Sequence, residues 1–158
     1  MATSSATAAH AFKAAFVAAI QGLYAADDTV LVTFGHPGPQ VVNYPDAVAV
    51  MGIEVTQEPA TISTNRAREE TITATVAISS WRPGGAEVEA TAAAAAYGIL
   101  QAIETYVRVT DTTLGGVVRH CFLTGHRSEG ATDPAALADG RTIEIEATFT
   151  AHVRITSV

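Results

Sequence analysis

Between Arg68 and Val107 the apolar residues change their spacing once, across a short break. Ile72, Ala74, Val76 and Ile78 alternate with Thr71, Thr73 and Thr75, the period of a half-buried strand. Arg82-Pro83-Gly84-Gly85 ends that pattern, since proline donates nothing to a ladder and the glycines permit a sharp turn. Beyond it Val88, Ala92, Ala95, Ile99, Ala102, Ile103 and Tyr106 recur at intervals that line one face of a helix. A strand that turns tightly into a helix lays the helix back on its own sheet, so this unit is expected to form the core.

The remaining elements follow in order. Ser4 and Ser5 are candidate caps for a first helix running to about Ala25, with Phe12, Phe16, Ala19, Ile20 and Leu23 on one face. Val30–Phe34 reads as a short strand, and Gly35-His36-Pro37-Gly38-Pro39 as a turn. A strand is expected over Ala47–Val55, with Met51, Ile53 and Val55 on one side. Thr56–Ala67, polar and proline-interrupted, reads as a long loop. Asp111–Gly116 is a turn, and Val117–Thr124 reads as an interior strand because both of its sides carry apolar residues. Asp133-Pro134 with Gly140 predicts one short helical turn. From Thr142 to Thr156 the odd positions are all apolar and the even positions all polar, so one face of this strand is buried and the other is not. Helix, strand, strand, strand, helix, strand, strand predicts a single α+β domain over residues 1–158. It has two layers: one mostly antiparallel sheet of four or five strands with two helices packed on one face.

Composition narrows the function. With 158 residues, 48% of them hydrophobic and 16% charged, the chain can bury a sizeable core as one domain. Few charges and much alanine also suit close subunit packing. The formal net charge of −7, with nine scattered basic residues of which only Lys13 is lysine, argues against specific nucleic-acid binding. No segment reads as a targeting or membrane-spanning stretch. The single cysteine, Cys121, excludes an internal disulfide and points to a reducing cytoplasm.

The residues offer no catalytic signature. The five histidines show no i, i+4 pair and no H-E-x-x-H, and G-x-S-x-G is absent. Cys121 follows His120, but neighbours in a strand point to opposite faces. Gly84-Gly85 before a helix lacks the lysine of a phosphate loop, and Glu87 and Glu89 would repel a phosphate there. The pairs Asp27-Asp28 and Glu69-Glu70 sit at element ends, where solvated charge is expected. No catalytic residue, cofactor or metal ligand is assigned. The alternative of a small enzyme or ligand-binding domain would place His120, Cys121, His126 or His152 in a pocket.

Three pieces of the chain carry a resemblance. They are R-x-R-E-E-T-I-T-A-T-V leading to S-S-W-R-P-G-G, the alanine-rich helix ending I-L-Q-A-I-E-T-Y-V, and D-T-T-L-G-G-V-V before a strand. With the Q-E-P-A-T-I segment and the final strand, Ala47–Val158 resembles the tail terminator proteins of long-tailed, siphovirus-type phages, particularly those of actinobacterial phages. The resemblance implies a sheet with helices packed on it and a hexameric ring of this chain. Such a ring caps the tail tube, stops its polymerisation and meets the head connector, while DNA passes through its lumen without specific binding. It implies the head–tail junction of a virion as the location, reached through the host cytoplasm. A head-completion protein or another tail protein of the same particle is the alternative within this class. For a ring of heterologous contacts, the expected contact residues are Arg66, Arg68, Glu69 and Glu70 at the base of the Thr56–Ala67 loop, with Trp81 and Arg82 at the strand–helix corner. Glu144, Glu146 and Arg154, on the polar face of the last strand, are the expected lumen residues.

Overall fold

A computed structural model describes residues 6–60 and 67–156. The element order is α1 (Ala9–Leu23), β1 (Val30–Thr33), β2 (Asp46–Pro59), β3 (Arg68–Pro83), α2 (Glu89–Thr105), β4 (His120–Gly130) and β5 (Gly140–Ile155). Five strands form one sheet in the order β1-β2-β3-β5-β4. All neighbours are antiparallel except β1 and β2, which run parallel. The chain is α+β in two layers, as its apolar periodicities require.

The alternation of β3 and β5 decides which face is buried. Ile72, Ala74, Val76 and Ile78 of β3, with Ile143, Ile145, Ala147, Phe149 and Ala151 of β5, meet the helices in one core. From α1 come Phe12, Phe16, Val17 and Ile20, and from α2 come Ala92, Ala96, Ile99, Leu100 and Ile103. Phe12 stacks on Phe16 at 5.5 Å, and Phe16 tilts against Phe149 at 5.2 Å, joining α1 to the middle of β5. The expected stripe of α1 shifts at its end: Val17 is buried, whereas Leu23 is 39% exposed.

Parallel strands cannot be joined by a hairpin. The β1–β2 connection is therefore a crossover of about a dozen residues, with a 3-10 turn at Gly38–Asn43. It runs over the face of the sheet opposite the helices, where it covers Ala47 and Ala49 to 4% exposure. β1 pairs only with Asp46–Ala49 of β2. At the other margin β4 pairs with β5 alone.

Four expectations need correction. β2 does not stop at Val55. Thr56, Gln57, Glu58 and Pro59 stay paired with β3 to Pro59↔Arg68, and Ala60 N–H donates to Ala67 C=O at 2.8 Å. Thr56–Ala60 and Ala67, half of the supposed Thr56–Ala67 loop, thus belong to a long hairpin, and residues 61–66 lie outside the described residues. Its composition reads as loop because the strand here has outrun the helical layer and both faces are wet. Second, Met51 does not share a side with Ile53 and Val55. A β-bulge between Val50 and Ile53 puts one extra residue into β2, which changes which face each later residue takes. Third, β4 is an edge strand of His120–Gly130 rather than an interior one, and a second bulge between Leu123 and Gly125 changes its phase too. Fourth, α1 begins only at Ala9, with Ala8 in the cap position; the candidate caps Ser4 and Ser5 lie outside the described residues.

Candidate functional site

The uncovered face of the sheet is built from the polar positions of β3 and β5. Thr71, Thr73 and Thr75 lie beside Thr148, Thr150 and His152, and the edge strand adds His120 and Phe122. Thr124 Oγ1 lies 3.0 Å from Thr150 Oγ1 across the β4–β5 pair. A threonine-lined strip therefore runs down the middle of this face, with different chemistry at each end.

At one end is a charged and aromatic cluster. Glu69 stands opposite Arg154 in the β3–β5 ladder, 3.8 Å away, and also meets Arg119 at 3.4 Å. His120 and His152 face each other with ring centroids 4.8 Å apart, and Thr71 Oγ1 lies 3.3 Å from His152 Nδ1. Partial burial, the His152 ring and the Arg119 charge, in that order, hold the His120 imidazole below the usual histidine range.

At the other end the crossover and the sheet enclose a trough of about 660 Å³. Ala47, Ala49, Ala77 and Ser79 form a floor of small side chains. Val42, Tyr44 and Pro45 rise from the crossover as one wall, and Trp81 stands at the end. The opposite wall is charged: Glu144 and Glu146 on β5, with Arg127 and Glu129 on β4. Glu129 and Glu144 are register partners, a like-charge pair. Arg127 is 3.6 Å from Glu146.

Trp81 is held in place by a glycine. A methyl added at Gly140 would fall 2.5 Å from the Arg82 carbonyl oxygen and 2.6 Å from Trp81 Nε1, so the indole lies against bare backbone. Trp81 N–H donates to Pro45 C=O at 2.8 Å, which ties the tryptophan to the end of the crossover.

The residues expected at subunit contacts do not form one patch. Arg66 lies outside the described residues. Arg68, half-buried, and Glu69 begin β3, whereas Trp81 and Arg82 end it, roughly 40 Å away along the strand. Arg82 donates to both Asp46 carboxylate oxygens, at 2.9 and 3.1 Å, a bond inside the subunit that fastens the β3 corner to the start of β2. Trp81 is 41% exposed. Glu70 is fully buried, so the reading of Glu69-Glu70 as a solvated pair holds only for its first member. The Glu70 carboxylate accepts from Ala8 N–H at 2.8 Å and from the Gln57 side-chain amide at 2.5 Å. It therefore satisfies one of the orphan donors at the start of α1, beside Thr7 Oγ1, which accepts from Ala9 N–H at 3.1 Å. Glu144, Glu146 and Arg154 all lie on the uncovered face, the two glutamates in the trough and Arg154 at the far end.

The four residues of the pocket alternative do not converge. Cys121 points into the core, where burial pushes its thiol up to about 12. His126 packs edge-on against Tyr97 of α2, on the helical side. His120 and His152 are on the uncovered face, and none of the four lines the trough. Among the described residues no group of three or more His, Cys, Asp or Glu is placed to hold a metal ion. The Gly84-Gly85 turn is occupied from within, since Gly85 N–H donates to Glu87 Oε1 at 3.0 Å. Hydrogen bonds from its own and the Gly85 N–H hold the Glu87 carboxyl below the usual carboxylate range.

The trough itself escapes a reading of the sequence. Its wall comes from residues 36–45, of which 36–39 read as part of a turn and 40–45 carry no periodic pattern; the one signal is three sizeable apolar residues, Val41, Val42 and Tyr44, beside the prolines and glycines. No family model matches the chain, and a comparison with curated proteins finds no match either. No helix among the described residues is long and apolar enough to cross a membrane.

Proposed function

We propose that this chain is a structural virion protein whose copies form a ring, six in the resembled family. The ring caps a phage tail tube, ends its growth and joins it to the head connector. The observation that supports this most is the asymmetry of the sheet. One face is buried under both helices, while the other is free of helices and, beyond the part that the crossover roofs over β2, is lined by threonines, carboxylates and arginine. β2 beyond Ala49 and the outer side of β4 give the sheet two dissimilar margins, as a heterologous ring contact requires. In this reading the uncovered face turns to the lumen. Glu144, Glu146 and Arg154 stand along it, and net negative subunits let DNA pass without adhering. The partners are further copies of the chain, the tube protein and the connector protein; the place is the virion head–tail junction, after assembly in the host cytoplasm.

Electron microscopy of particles assembled without this protein tests the reading. Overlong tail tubes are the expected result. Tubes of normal length that fail to join heads would instead assign it to head completion, and normal joined tails would remove it from the neck altogether.

A further inference from the structure

We propose that the trough between the crossover and β4 seats an extended segment of a partner protein that carries an arginine or lysine. The inference concerns the single subunit and stands apart from the ring reading. The trough has the volume of a ligand-sized site. Of its floor, Ala47 and Ala49 lie under the crossover, and beside them the small side chains of Ala77 and Ser79, only partly buried, let another backbone approach the sheet closely. Its apolar rim is left in water, with Val42 83% and Trp81 41% exposed. Such a rim suits the apolar stem of a long basic side chain, and an indole face attracts the cation itself.

Charge selects the sign of the partner. Three carboxylates, Glu129, Glu144 and Glu146, face one cation, Arg127, whose contact is with Glu146. Glu129 and Glu144 remain opposed across the β4–β5 ladder, an arrangement that weakens the isolated sheet. A guanidinium or ammonium between them removes that repulsion, and the neighbouring apolar residues of the segment fill the Val42 and Trp81 side. An anionic or neutral polar segment would leave the pair unrelieved.

Trp81 is the chain's only tryptophan, so its fluorescence reports on the trough directly. The probe is a capped pentapeptide with a central arginine between two valines and terminal serines. Its control carries citrulline, which keeps the shape and loses the charge. A saturable change in Trp81 emission is expected, with the citrulline peptide at least tenfold weaker. The Glu129→Gln, Glu144→Gln double variant should bind the arginine peptide at least tenfold more weakly while its circular dichroism is unchanged. If that variant loses its fold, raising salt on the unaltered chain serves instead, and binding must weaken as it rises. Equal binding of the two peptides, or no saturable change, overturns the proposal. So does arginine amide binding as tightly as the peptide, which makes the trough a small-molecule site. Trp81 emission that varies with protein concentration before any peptide is added would assign the trough to a second copy of the chain, and also overturns it.

Discussion

Glu69 and Glu70 are adjacent carboxylates on β3 that the alternation of a strand sends to opposite faces. Glu69 meets Arg119 and Arg154 on the wet face, whereas Glu70 enters the core side and holds Ala8 and Gln57. Glu70→Ala removes the acceptor of the part-buried Ala8 N–H, while the exposed Gln57 amide can turn to water; losing the one anchoring bond costs about 1 kcal/mol in stability. Glu70→Gln is the sharper variant. Its amide can accept from Ala8 N–H but turns an NH2 toward the Gln57 amide, which already donates to Ala6 C=O at 2.7 Å. Urea denaturation should show both variants less stable, with hydrogen exchange at Ala8 rising in Glu70→Ala; unaltered stability with unchanged exchange in Glu70→Ala would refute the anchoring role. Cys121 gives a second residue-scale test. A thiol raised to about 12 and buried in the core holds almost no thiolate at pH 8. Iodoacetamide should leave it unmodified in the native protein and alkylate it promptly in urea, and ready native labelling would count against the packing described. A cysteine in a strand reads as a buried structural one, and Cys121 is buried; the burial of Glu70 is not legible from its sequence neighbours, because adjacent letters do not reveal which face a strand covers.

At the scale of elements, legibility follows solvent contrast. β5 and the body of β3 have helices on one side and water on the other, so Ile143–Ile155 and Ile72–Ile78 alternate cleanly. β2 loses that contrast past Ile53, and Thr56–Pro59 look like loop although they are paired. Bulges hide more than composition does: one extra residue at Met51-Gly52, and another near Thr124, invert every later assignment of side chain to face. The β4–β5 pairing carries a pH prediction. His120 is held below its ordinary value by partial burial, His152 and Arg119. The unfolded chain therefore binds more protons than the folded one as pH falls from about 6.5 toward that lowered value. Stability should decline through this window and be free of the effect above it. Comparing urea midpoints at pH 7.5 and 5.5, the loss should be smaller in His120→Asn than in the unaltered protein. An equal loss in both would place the acid sensitivity elsewhere.

For the molecule as a whole, the architecture was legible and the site only in part. Glu144, Glu146 and Trp81 carried visible signals in the pattern of β5 and the W-R-P-G-G corner. Their meeting with Val42 and Tyr44 depended on a parallel β1–β2 pair, and nothing in the short run Val30–Thr33 announces its direction. The ring reading makes its own demand on the whole chain. Each subunit carries a formal −7, so copies brought side by side repel through their net fields whatever local contacts they make. Salt weakens that repulsion, the screening length falling from about 8 Å at physiological ionic strength to about 3 Å at 1 M. Contacts made by apolar surface and strand margins survive such screening, whereas contacts made by exposed ion pairs do not. Light scattering of the purified chain should therefore show mass rising with salt from the 16.3 kDa of one chain toward six times that value. Assembly that dissolves as salt is raised would mean that opposite charges hold the ring, with Arg119, Arg127 and Arg154 as the cations to test first. A mass fixed at one chain across the whole salt range, in the presence of purified tube protein as well, would remove the ring itself.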